Sequence, residues 1–234
     1  MDDDGGVYED TKSVNVNNVF PTGTIEINNG APATNNATIN LTLSANDPLP
    51  GSGIEQMRFR NESTATWDGI SWEDYAPSRQ WQLSSGDGTK TVFVEFMDNA
   101  GNVSQGVISD QILLDTTDFT APTVTKWMPK TKRVPPTTNV IATFSERMYE
   151  ASVEATNSRG LPTSFTLKKG AKQVAARVTY AETNTATGTT YKAILDPNRK
   201  LTAGAIYTAT VTPSAKDFVG NPLVKKTWKF TVKS

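Results

Sequence analysis

Apolar and polar residues alternate along most of this chain with a period of two, the spacing that turns one face of a strand to a core and the other to water. The pattern predicts strands over 24–27, over 37–45 with Ile39, Leu41 and Leu43 in phase, and over 54–61 with Ile54, Met57 and Phe59 as the apolar side chains. Residues 89–97 put Val92, Val94 and Phe96 on one face, and a further strand runs through Ile112 and Leu114. The plan then repeats: a strand holding Val124 and Trp127, then strands over 139–144, 165–167, 174–180, 190–195, 206–212 and 227–232. Residues 148–156 lack the alternation and predict a short helical turn, and Lys169-Gly170 reads as a hairpin turn. Many short strands at this spacing predict an all-β chain of two tandem Greek-key β-sandwiches joined by a short linker.

Two five-residue segments sharpen the division. Asp98-Asn99-Ala100-Gly101-Asn102 and Asp217-Phe218-Val219-Gly220-Asn221 each close one apolar run and open another. In such a corner Asp and Asn bond their own backbone and Gly takes the positive φ of the reversal. The joints repeat as well. An alternating stretch at 13–19 stops at Phe20-Pro21-Thr22, and the strand at 111–115 stops in Thr116-Thr117-Asp118-Phe119-Thr120-Ala121-Pro122-Thr123. The expected division is 1–20 as a leader or the tail of an upstream domain, 21–117 as a first sandwich and 118–234 as a second.

Composition narrows the function classes. The 234 residues are 36% hydrophobic, enough for two thin cores and poor for one deep enzyme core. The formal net charge of −1 gives no global field for nucleic acid or an anionic membrane. The chain has neither Cys nor His, so thiolate or imidazole zinc sites and His-dependent nucleophilic triads are excluded. Lack of Cys leans towards a bacterial source. No run of 18 apolar residues exists, and the acidic start lacks the basic and apolar regions of an export signal, which is expected to lie elsewhere in a longer parent.

Two resemblances rest on particular residues. Residues 121–232 resemble the bacterial Ig-like domain associated with surface-layer proteins. The likeness runs through Ala121-Pro122, Thr143-Phe144-Ser145-Glu146-Arg147-Met148, Leu201-Thr202-Ala203-Gly204-Ala205-Ile206-Tyr207-Thr208 and Lys216-Asp217-Phe218-Val219-Gly220-Asn221-Pro222-Leu223. Residues 21–117 resemble another bacterial repeat of Ig-like or fibronectin-type-III-like build. Its marks are Ser52-Gly53-Ile54, Met57-Arg58-Phe59, Trp72, Tyr75-Ala76, Trp81, Gly86-Asp87-Gly88-Thr89-Lys90-Thr91-Val92 and Leu114-Asp115-Thr116-Thr117. Both resemblances imply a fold and a setting, the arrays of large exported bacterial proteins, and neither implies a shared active site.

Three constellations carry candidate chemistry. Trp67, Trp72, Tyr75 and Trp81 form an aromatic group. Trp faces stack on sugar rings, and Trp67, beside a turn, is the candidate ligand-binding residue, while Trp72, Tyr75 and Trp81 are expected to fill the sandwich. Trp127 and Trp228 are expected in the second core. On Greek-key topology Glu146 and Asp217 should approach the linker bearing Asp115 and Asp118, and Asp47 and Asp98 should gather at the entry to the first module. Such carboxylates are candidate calcium ligands at the joints, with local hydrogen bonding of turn Asp residues as the competing explanation. Lys and Asn in strands leave a Lys–Asn isopeptide bond as a third possibility.

Catalysis finds no support. A glycosidase needs two carboxylates facing across a cleft, and Thr187-Gly188-Thr189-Thr190 and Gly86-Asp87-Gly88 lack phosphate-loop spacing. The basic residues around Lys126, Lys130, Lys132 and Arg133, with Lys225-Lys226, read as solvated edges that discourage edge-to-edge aggregation. The expected function is a non-catalytic spacer of a secreted or cell-surface bacterial protein, a monomer as an isolated piece, with neighbouring Ig-like domains of the same parent as partners. It inserts into no membrane, binds no nucleic acid and needs no cofactor, unless calcium sits at the joint. The alternatives are an adhesive or carbohydrate-binding module that engages glycan or a surface protein, or an accessory region of a secreted polysaccharide-active enzyme.

Overall fold

A computed structural model describes residues 17–62, 66–130, 133–186 and 188–234. The expected strand over 13–19 lies for the most part outside the described residues, as do Lys132 and Thr187. The alternation is realised as two pairs of sheets.

The described residues up to 114 supply eight strands: β1 (Thr22–Ile27), β2 (Ala33–Thr34), β3 (Thr38–Asn46), β4 (Ile54–Asn61), β5 (Glu73–Asp74), β6 (Ser78–Gln82), β7 (Gly88–Asp98) and β8 (Ile108–Leu114). They form a three-stranded sheet, β1-β3-β6, and a five-stranded sheet, β2-β8-β7-β4-β5. β3 turns Ile39, Leu41 and Leu43 inward, β4 turns Met57 and Phe59, and β7 turns Val92, Val94 and Phe96. The short β2, β5 and β6 escape the sequence pattern. β2 and β5 have two residues each, too few for any period, and Ser78–Gln82 shows no buried side chain to mark an inner face.

From residue 124 onward the strands are β9 (Val124–Met128), β10 (Val140–Phe144), β11 (Phe165–Lys169), β12 (Lys172–Gln173), β13 (Ala176–Thr185), β14 (Gly188–Pro197), β15 (Ile206–Val211) and β16 (Lys226–Thr231). The helical turn is α1 (Glu150–Val153), which buries Val153. The sheets are β13-β14-β10-β9 and β12-β11-β15-β16, with all neighbours antiparallel. Their shared core draws on Val140, Phe144, Phe165, Leu167, Leu195, Ala209, Trp228 and Phe230, and Trp127 packs against it half-buried.

By compactness the chain divides along other lines. One unit comprises Met1–Asn29, Asn40–Trp81 and Thr91–Asp110, and the other Gly30–Ile39, Gln82–Lys90 and Gln111–Ser234. Each unit contains one of the two Asp-x-x-Gly-Asn corners. No helix among the described residues is long and apolar enough to cross a membrane.

Candidate functional site

Both corners fold as their composition requires, with Gly101 at φ 85° and Gly220 at φ 102°. Asp98 is fully buried, and its Oδ1 accepts the N–H groups of Ala100 and Asn102 at 2.9 and 2.7 Å. Asp217 is 1% exposed, and its Oδ1 accepts those of Val219, Gly220 and Asn221 at 3.0, 2.8 and 2.8 Å. Each terminal Asn amide then returns to the second carboxylate oxygen, Asn102 to Asp98 Oδ2 and Asn221 to Asp217 Oδ2, both at 2.8 Å. Burial acts to raise the pKa of Asp98, but the bonds from the Asn102 side chain and N–H, from Ala100 and from Ser52 outweigh it and hold the carboxyl below its ordinary value.

The same Asn amides reach the chain where it enters each sandwich. Asn102 Nδ2 donates to Asn17 O at 2.9 Å, and Asn221 Nδ2 donates to Asp118 O at 3.2 Å. Asn17 and Asp118 occupy matching places, each bonding the N–H two residues on: Val19 N–H to Asn17 Oδ1 at 2.9 Å and Thr120 N–H to Asp118 Oδ1 at 3.0 Å. The corner is thus an entry clamp. Local turn chemistry predicts its first half, but the grip on a segment remote in sequence is visible only in three dimensions. Within the second unit Asn35 Nδ2 adds a bond to Asp118 O at 3.1 Å and one to Asn221 Oδ1 at 2.8 Å.

The clamps also differ at the entry residue. Asn17 has an amide and donates to Asp98 Oδ2 at 3.2 Å. At the matching place Asp118 presents a carboxylate, which has nothing to donate. Asp118, Glu146 and Asp217 consequently crowd together, with one ligand oxygen of each within 4.8 Å of the others. Burial, then the charges of Asp118 and Asp217, raise the pKa of Glu146 above its ordinary value. Three carboxylates at this distance fit the hard-oxygen preference of calcium, with water and carbonyls needed to complete a shell of six to eight.

The other carboxylates named from the sequence fall outside the trio. Asp115 Oδ1 accepts the N–H and hydroxyl of Thr117 at 3.0 and 2.6 Å, and the hydroxyl bond foremost holds its pKa down. Asp47 turns to its own loop and accepts the Gly53 N–H at 2.9 Å. Asp98 is taken up by its corner. Among the described residues neither Asp47 nor Asp98 belongs to a group of three or more carboxylates, and Asp98 is held by its corner and by Asn17.

The aromatic group also differs from expectation. The antiparallel register sets Arg58 opposite Glu95 and Arg60 opposite Phe93. These outward side chains build a ladder: the Arg58 guanidinium lies 4.3 Å from the centre of the Trp72 ring and 4.9 Å from that of Trp67, and Arg60 lies 4.9 Å from Trp67 and 4.1 Å from Phe93. Glu95 fixes Arg58 through a 2.6 Å ion pair. Trp67 is half-buried and stacked by two guanidiniums, so it is not the open sugar platform its turn position predicts. Trp72 belongs to this outer ladder, which corrects its expected place in the core. Trp81 is half-buried, tilted on Phe59 at 5.4 Å and bonded through Nε1 to Asn61 at 2.9 Å, and Tyr75 meets Phe96 edge-on at 6.0 Å. The period-two pairs Arg58-x-Arg60 and Phe93-x-Glu95 were the available signal.

The clamp, the carboxylate trio and the second core all fall within the span matched by a family model. That model is described as a bacterial Ig-like domain and covers residues 118–232. Residues 118–232 belong to the bacterial Ig-like domains. This family is typical of bacterial surface proteins, and its members are typically non-catalytic modules. Among solved structures, the fibronectin(III)-like modules of Clostridium thermocellum CbhA align at 14% identity over 90% of this chain and 94% of that one, with a TM-score of 0.44. The N-terminal part of the bacterial S-layer protein SbsC aligns at 17% identity over 49% of this chain and 24% of its own, with a TM-score of 0.30. A Bacteroides ovatus glucan-utilisation protein, SGBP-B, solved with a mixed-linkage heptasaccharide, aligns at 14% identity over 89% of this chain and 47% of its own, with a TM-score of 0.21. No curated protein matches the sequence. The matched span begins at Asp118, the residue whose carbonyl the second corner holds.

Proposed function

We propose that the chain is a non-catalytic spacer from an exported bacterial surface protein, built of sandwiches over 21–117 and 118–234 that hold other domains of the same parent at a set separation. The observation that carries this reading is the repeated entry clamp. Asn102 and Asn221 each bind a carbonyl of the segment that leads into a module, that of Asn17 just before the first and that of Asp118 at the start of the second, a device suited to fixing how a chain enters a bead rather than to chemistry on a substrate. A spacer holds its ends at one distance. Because the chain has no Cys, single cysteines introduced at Thr22 and Lys233 can carry dyes for single-molecule energy transfer. A single narrow distance distribution is expected, and a distribution as broad as that of a Gly/Ser chain of equal length would refute the spacer role.

Calcium at Asp118, Glu146 and Asp217 is proposed as the stiffener of the second entry, on the ground that a carboxylate replaces the amide found in the first clamp. Millimolar calcium should raise the thermal midpoint, and chelator should return it. Asp118→Asn, which restores the amide, should abolish the difference. An unchanged melt in calcium and chelator removes the ion from the account. The carbohydrate-binding alternative through Trp67 would need the Arg58 and Arg60 stack to open, so loss of glycan-array binding in Trp67→Ala is the result that would favour it.

A further inference from the structure

The second domain carries a groove between the β11–β12 hairpin and the loop that follows β14. Its volume is about 630 Å³. Leu161, Val174, Leu201 and Tyr207 contribute apolar surface, and Gln173, Asn198 and Thr202 contribute amides and a hydroxyl. Lys169, Lys172, Arg199 and Lys200, all exposed, add four positive charges to the lining, which includes no carboxylate. In a chain of net charge −1 this is a local concentration of one sign. Asp196, in the adjoining pocket, lies opposite Arg177 in the β13–β14 register. Lys169 Nζ donates to Thr202 Oγ1 at 3.1 Å and ties the hairpin to the loop. A cleft lined by one sign of charge focuses its field on a ligand of the other.

We propose that this groove binds a carboxylated polysaccharide, with the four cations meeting its carboxylates and Gln173, Asn198 and Thr202 meeting its hydroxyls. The chemistry disfavours two other classes of polyanion. Single-stranded nucleic acid needs free rings for its bases, whereas Tyr207 is buried, lies parallel to Phe230 at 5.8 Å and accepts the Thr202 N–H through its hydroxyl. An acidic peptide adding as a strand needs an edge of useful length, and β12 offers two residues. The site is independent of the spacer reading, and either can fail alone.

The test is affinity electrophoresis of the full chain through gels containing polygalacturonate, methyl-esterified pectin or dextran. Retardation is expected in polygalacturonate alone and should fade as salt is raised, a readout that needs no variant. K172E/R199E/K200E should weaken binding by about tenfold or more, while K126E on β9 should leave it unchanged. Absence of retardation, or equal retardation of the triple variant when its melt shows it folded, overturns the proposal. So does equal retention by polyglutamate or single-stranded DNA, which would mean that charge alone governs binding.

Discussion

Buried Asp217 and half-exposed Glu146 show how a few ångströms set the behaviour of like groups. All the acceptor capacity that the Asp217 carboxylate uses is met by four donors of its own corner. Replacing Asn221 with Ala removes the amide that serves both Asp217 Oδ2 and Asp118 O. It should cost about 1–3 kcal/mol in chemical denaturation, since one carboxylate oxygen is left unpaired in a buried place. Asp98 and Glu146 should act with opposite sign on pH. The lowered pKa of Asp98 contributes stability above its ordinary value of 3.8 that is lost as pH falls through the folded value. The raised pKa of Glu146 means that its ionisation weakens the fold, so this penalty grows as pH rises from 4.5 through the folded value. In calcium-free buffer Glu146→Gln should therefore raise the melting midpoint at pH 7 and not at pH 3. The gain should stay below about 1 kcal/mol because water screens the group. Asp and Gly at these corners could be read from the sequence, since their partners lie within four residues. The trio was legible only by way of Greek-key topology, which brings Glu146 and Asp217 towards the linker but does not choose Asp118 over Asp115, because the trio joins residues from three separate segments.

At the scale of elements, β4 and β7 show what register adds to periodicity. Alternation alone says that Arg58 and Arg60 share the face opposite Met57 and Phe59. Only the pairing of Arg58 with Glu95 and Arg60 with Phe93 turns that face into a ladder. The sequence pattern predicts a sugar platform at Trp67 and a core residue at Trp72, because a large ring is assigned by default to one or the other. The half-buried outer face is a third environment, made when guanidiniums cover the rings. Arg58→Ala should destabilise the first sandwich by about 1–2 kcal/mol and expose Trp67 and Trp72, seen as a red shift in fluorescence. A double-mutant cycle with Glu95→Ala should return a coupling energy, and purely additive effects would show that the ion pair does not organise the ladder.

For the whole molecule, the core that unites β9 to β16 uses residues from Val124 to Val232 alone, and the family match runs over nearly the same span. A fragment of residues 118–234 should accordingly fold by itself and melt cooperatively, with near-ultraviolet dichroism from packed Trp228 and Tyr207. A fragment that melts without a transition would place the boundary elsewhere, in line with the grouping of Gly30–Ile39 and Gln82–Lys90 with the second unit.

By itself the sequence determined the all-β class, the positions of the long strands and both corners. These follow from period-two burial and from contacts within a few residues, which a linear pattern records. The tertiary structure decided that each corner clasps its incoming chain, that Asp118 but not Asp115 meets Glu146 and Asp217, that guanidiniums cover the Trp67 ring, and that four cations line one groove. Each of these depends on which segments distant along the chain are brought side by side, and strand pairing and sandwich closure, rather than local preference, make that choice.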